Sequence, residues 1–171
     1  MNNTSRTSVR TLVMLALLVA MSIVFSRVLS ISTGFVRFNL GSLPVLLAAL
    51  LFGPGAGFAV GAVADIIGGV LAGYAINPLI TLGAGAIGLV AGYAWQKLPD
   101  YRTGLRLSIS VLLGHFVGSM VINSLALRIF YGYAWSVLLA RIPNALVLSV
   151  VNTVLLRILL ENRSLMKLAK K

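Results

Sequence analysis

Asp65 is one of only three acidic residues in a chain of 171, and it stands inside the glycine-rich apolar run from Asn39 to Pro78. An ionisable group at membrane depth is disfavoured by roughly 3 kcal/mol on insertion scales, so it faces a bundle interior or a cavity. A carboxylate accepts hydrogen bonds in its plane at two oxygens, which suits a ligand with adjacent N–H donors. An internal ion pair or hydrogen bond to a neighbouring helix is the plainer alternative, and a proton relay a third.

Other polar residues share that surrounding. His115, Ser119 and Asn123 recur every four residues and form a polar line along an otherwise apolar stretch. Arg141, Asn144 and Asn152 add polar positions to the last apolar block. Such groups also serve simply to hydrogen-bond between helices. Arg37 and Arg141 are suited to holding an anion by forked hydrogen bonds, whereas Arg27 and Arg128 are equally read as snorkelling side chains. Phe35, Phe38, Tyr74, Tyr131, Tyr133 and Trp135, with Asn77, gather beside the same loops. Aromatic belts anchor membrane proteins, and a planar ring ligand would stack on such residues.

No catalytic residue is expected. The chain lacks a phosphate-binding G-x-x-x-x-G-K-[ST] loop, an H-E-x-x-H helix and a G-x-S-x-G elbow. One histidine with one nearby acid cannot assemble a metal shell, so His115 reads as structural and no metal or cofactor is predicted. Zero cysteines remove disulfides, thiolate sites and cysteine nucleophiles.

These residues must be positioned by elements that suit lipid. With 59% hydrophobic and 10% charged residues and a mean hydropathy of +1.02, the chain is an all-α integral membrane protein. Crossing a hydrocarbon core of about 30 Å takes about 20 residues, and the apolar blocks fit roughly six spans. They fall near Thr11–Leu29, Gly41–Phe52, Gly57–Gly73, Leu79–Trp95, Leu107–Phe130 and Ser136–Leu160. The second is short; it reads as a crossing helix that lengthens upstream through Val36–Leu40, with a re-entrant segment as the alternative. Nothing remains for a soluble domain, so residues 1–171 form one transmembrane domain.

Arg6 and Arg10 precede the first span as in a secretory signal, but no small-residue cleavage pattern follows, so it stays as a helix. Cytoplasmic N- and C-termini put ten of the fourteen basic residues inside, namely Arg6, Arg10, Lys97, Arg102, Arg106, Arg157, Arg163, Lys167, Lys170 and Lys171. Arg27, Arg37, Arg128 and Arg141 are left outside. The net charge of +11 is thereby explained by the inside bias and the anionic bilayer, and nucleic acid is not an expected partner.

Gly57, Gly61, Asp65, Gly69 and Gly73 recur every four residues along the third span, and Gly85, Gly88 and Gly92 repeat the theme in the fourth. Close helix packing is the expected use of these glycines. Ala16 and Ala20 form an Ala-x-x-x-Ala pair that lets another helix approach the first span.

Taken together, Ala16-x-x-x-Ala20, SRVLSI at Ser26–Ile31, VRFNLGSLP at Val36–Pro44, LFGPGAG at Leu51–Gly57, the Asp65 segment, YAINPLITL at Tyr74–Leu82 and INSLALRIFYGYAWSVLLARI at Ile122–Ile142 resemble the S components of energy-coupling-factor (ECF) vitamin transporters. The last segment and Arg37 look most like the folate branch. YAINPLI departs from the YFPGFTL form of relatives. The resemblance implies a six-helix bundle that captures folate from outside and joins a transmembrane scaffold subunit and two cytosolic ATPases. It further implies that Ala16 and Ala20 meet the scaffold and that the loop Ser30–Asn39, between the first two helices, acts as a lid. Folate joins a pterin rich in adjacent donors and acceptors to a glutamate with two carboxylates. The site predicted on that basis is Asp65 and Asn123 near the pterin, Arg37 and Arg141 near the carboxylates, and Tyr74, Tyr131 or Trp135 against a ring, with Asn77 beside them.

Rival readings are an S component for riboflavin, pantothenate, thiamine or biotin, or a small oligomeric channel or structural membrane subunit whose pore is ringed by Asp65. Cationic thiamine fits the outer arginines poorly. A stand-alone secondary transporter lacks the expected inverted repeat and paired broken helices.

Overall fold

The computed structural model describes residues 9–32, 37–99 and 103–162. Phe35, Arg102 and the basic tail from Arg163 lie outside them, as do the side chains of residues 31–37, including Arg37. The chain forms a helical bundle. In order come α1 (Val9–Arg27), α2 (Ser42–Phe52), α3 (Pro54–Leu71), α4 (Pro78–Lys97), α5 (Thr103–Gly114), a π-helical segment (His115–Ile122), α6 (Asn123–Tyr131), α7 (Trp135–Leu139) and α8 (Arg141–Glu161). Among the described residues, five stretches are long and apolar enough to cross a membrane: α1, α3, α4, the continuous run Thr103–Tyr131, and Trp135–Glu161. The sixth expected span is the shorter apolar helix α2, of 11 residues.

Local sequence explains the punctuation. Gly53 takes φ +99°, open to a residue without Cβ, and Pro54 starts α3 where its missing N–H would be unpaired in any case. Asn77 caps α4, its Oδ1 accepting from Leu79 N at 3.0 Å and Ile80 N at 3.4 Å, with Pro78 at the first helical position.

Two expectations change. The second helix does not lengthen upstream. Arg37–Phe38 (β2) is extended and pairs antiparallel with Ile31–Ser32 (β1), Ile31 opposite Phe38 and Ser32 opposite Arg37. Asn39 Oδ1 then accepts from Gly41 N at 3.0 Å, a side-chain turn that competes with helix. The last span is also divided, because the chain turns at Ala140 between α7 and α8.

Packing is tightest where side chains are smallest. The α3–α4 contact is the most extensive in the bundle. A Cβ on Gly57 would lie 2.5 Å from that of Ala49, and one on Gly61 would overlap the carbonyl oxygen of Ala84. Lipid supplies no hydrophobic drive between helices, so such close backbone approach holds the bundle. Two apolar clusters fill the rest. Leu43, Leu46, Ala91, Leu107, Val111 and Leu156 form one, and Leu18, Val45, Ala48 and Val60 the other. Large residues such as Leu12, Leu17, Val70, Phe116 and Val150 point outward, as lipid-facing positions should. At one end of the bundle Arg106 stacks 4.3 Å from the Trp95 ring centroid, and its Nε and a terminal nitrogen donate to the Trp95 carbonyl, satisfying an orphan acceptor at the end of α4. The other end is open.

Candidate functional site

At that open end a cavity of about 770 Å³ lies between α1, α2, α3, α4, the π segment, α6 and α8. This volume suits a vitamin-sized ligand. Its wall combines carboxylate, guanidinium, amide, hydroxyl and aromatic groups, a composition that a merely structural void in lipid would not need.

Asp65 reaches it from the middle of α3. Thr81 Oγ1, on α4, donates to Asp65 Oδ2 at 2.7 Å, and this is the only hydrogen bond of that carboxylate among the described residues. The expected contact to a neighbouring helix therefore exists, but it engages one oxygen and the residue still lines the void.

Two arginines line the cavity from different helices. Arg27 ends α1, its guanidinium 5.4 Å from the Tyr74 ring centroid, and its buried Nε has no hydrogen-bond partner among the described residues. Snorkelling does not describe Arg27. Arg141 opens α8, whose first turn holds no acid, and one of its terminal nitrogens is likewise buried without a partner. A cation at a helix N-terminus sits against the positive end of the dipole, an arrangement that an anion would relieve.

Deeper in, Asn152 is fully buried and joins three elements. Its amide nitrogen lies 2.9 Å from Ser42 Oγ, to which it donates, and 3.0 Å from His115 Nε2. Ser42 and His115 line the cavity, so this network forms part of its floor. His115, Ser119 and Asn123 all border the void. The segment between them runs with i→i+5 bonds, and such π segments recur at functional sites. Asn123 is seated against α4, where a Cβ on Gly83 would overlap its Oδ1.

Of the residues expected from sequence, Asp65, Tyr74, Asn77, Asn123, Tyr131 and Arg141 line one cavity. The oxygen of Asn77 is already engaged in capping α4. Trp135 is not in the lining; it is 62% exposed, with the Arg128 guanidinium 5.6 Å from its ring centroid. Arg128 also donates to the Tyr133 carbonyl at 3.0 Å, so its role is to hold the α6–α7 turn. Arg37 is placed only by its backbone, in β2. Ala16 and Ala20 are exposed on α1, away from the cavity.

Sequence reasoning missed Arg27, Ser22, Ser26, Asn39 and Ser42 as lining residues. The available signal was that Ser22 and Ser26 lie on one face of α1, four residues apart, just before Arg27 at its end.

The sequence and the fold both resemble known proteins. A family profile described as ECF-type riboflavin transporter, S component, matches residues 6–165. The chain is 30% identical over 133 residues to the folate transporter FolT of Clostridium novyi (strain NT), covering 76% of this chain and 75% of that protein. A crystal structure of FolT bound with folic acid superposes with a TM-score of 0.71 at 25% identity, over 86% of this chain and 90% of the other. The S component of a bacterial ECF transporter superposes with a TM-score of 0.70 at 18% identity, over 90% and 94%. That second likeness is one of fold.

Proposed function

This chain belongs to the ECF-type transporter S component family, and from that premise we propose that it is the folate-capturing subunit of such a transporter. It is a multi-pass protein of the bacterial plasma membrane, and its family is one of transport subunits, not enzymes.

The charge layout of the cavity carries the choice of ligand. Arg27 and Arg141 bring buried guanidinium nitrogens without partners among the described residues, and Asp65 brings a carboxylate oxygen, into one void. Folate presents carboxylates at one end and a donor-rich pterin at the other, so it complements both charges. Riboflavin, named in the family description, has no carboxylate and would leave both arginines uncompensated. In this reading Asp65 and Asn123 meet the pterin, Arg141 with Arg27 and Arg37 meets the glutamate, and Tyr74 and Tyr131 contact a ring. Asn77 shapes the mouth through its cap.

The mouth opens to the outside, the termini are cytoplasmic, α2 with the extended segment before it makes a sixth passage beside the five long spans, and residues 30–39 close over the ligand. The exposed Ala16 and Ala20 dock a transmembrane scaffold subunit that couples to two ATPases.

Calorimetric titration of the purified protein with folate, riboflavin and pantothenate tests the proposal. Folate is expected to bind far more tightly than the other two, and Asp65→Ala and Arg141→Ala are each expected to weaken it. Riboflavin binding tighter than folate would overturn the assignment.

A further inference from the structure

The repeat of small residues along α3 does not serve a single purpose. Gly57 and Gly61 are packing positions, since a Cβ at either would collide with α2 or α4. Gly69 differs in one respect. Like Gly61 it is buried and lines the cavity, but a Cβ built on it meets nothing within 4 Å. Its φ is not in the positive region, which among the described glycines is reserved to Gly53, Gly73 and Gly132. Neither a neighbouring helix nor the backbone therefore demands glycine there, and helix propensity favours alanine. What lies in front of Gly69 is the volume of the cavity itself.

Its place in the helix gives that volume a meaning. Gly69 follows Asp65 by four residues and so stands one turn further along the same face, between Asp65 and Tyr74 at the mouth. The preceding Gly68 receives a different group, because a Cβ there would come within 3.2 Å of Arg27 Nε. Two successive glycines thus make room for a guanidinium on one side and for empty space on the other.

We infer that Gly69 sets the size limit of the binding site: its missing side chain leaves the clearance in which a flat heterocyclic ring lies against the α3 backbone with its donor edge at Asp65. The identity of the ring as a pterin rests on the folate reading above; the clearance does not.

A size series at this position tests the inference. Full-length Gly69→Ala, Gly69→Val and Gly69→Leu are titrated with folate, and their thermal midpoints are measured without ligand beside that of Gly61→Ala. The ligand-free midpoint of Gly69→Ala should equal or exceed that of the unmutated protein, while Gly61→Ala falls. Folate affinity should drop about tenfold with alanine and at least about a hundredfold with leucine. Gly69→Ala and Gly69→Val proteins that bind folate within about twofold of the unmutated chain would overturn the inference. A Gly69→Ala midpoint as low as that of Gly61→Ala would do the same, by making position 69 a packing site. If the unmutated protein binds riboflavin and not folate, the folate reading fails, and the same series titrated with riboflavin still decides Gly69 by the order of sizes.

Discussion

Thr81 on α4 donates its hydroxyl to Asp65 on α3 at 2.7 Å, so the only acid within a membrane-crossing stretch away from the bundle's ends is oriented by a neutral partner. A cation in that place would have neutralised it. A hydroxyl instead fixes one oxygen and leaves the charge available to whatever fills the cavity. Thr81→Val keeps the shape and removes the donor; folate affinity is expected to fall about three- to tenfold and to recover in Thr81→Ser. Asp65→Asn should lose about a hundredfold, since it exchanges a charged acceptor for a neutral one. Calorimetry on the four proteins checks the order, and an unchanged Asp65→Asn affinity would remove that residue from the site.

The arginines predict a ligand-dependent loss. Arg27→Gln and Arg141→Gln should each weaken folate by about ten- to a hundredfold, the range of a charge-assisted hydrogen bond. Neither should alter the binding of a pterin fragment that lacks the glutamate. Equal losses for folate and fragment would show that these side chains support the fold instead of the carboxylates.

Aromatic residues at the mouth divide cleanly. Tyr74 lines the cavity beneath Arg27, whereas Trp135 carries Arg128 on the surface. Tyr74→Ala should lower folate affinity about tenfold by removing ring contact and the support of Arg27. Trp135→Ala should change it less than about twofold. Quenching of intrinsic fluorescence by folate in both variants supplies the measurement.

Asn152 predicts a stability effect. Asn152→Ala would strand Ser42 and His115 in the interior, at a cost of about 1–3 kcal/mol for the unmet polar groups. A lowered thermal midpoint in detergent is expected, and Asn152→Asp should not rescue it. An unchanged midpoint would mean that water replaces the amide.

Much of this architecture was legible because lipid and backbone geometry leave few options. LFGPGAG announced a break, and Gly53 with Pro54 supplies it. The apolar runs mark the long helices, whereas Asn77, read from sequence as a site residue, caps α4 ahead of Pro78. The site was legible where one polar residue interrupts an apolar helix, as with Asp65 and Arg141. Arg27 was harder, since an arginine at a helix end satisfies the snorkelling pattern equally well; only the inward course of its side chain past Gly68 separates the two. The turn at Ala140 was overlooked, although Pro143 lacks the N–H that would bond the Leu139 carbonyl and its ring crowds that group, which interrupts the helix there. Trp135 misled through chemistry that suits an anchor as well as a ligand.

Helix α2 has 11 residues and so extends about 16 Å, roughly half the depth of a bilayer's hydrocarbon layer. Its first turn, at Ser42 and Val45, borders the cavity. The missing half of that helix is where the void is, which makes the truncation a way of hollowing out the bundle without thinning its outer wall. Upstream of α2 the chain does not rebuild that helix; it runs extended, as the paired backbone of Ile31–Ser32 and Arg37–Phe38.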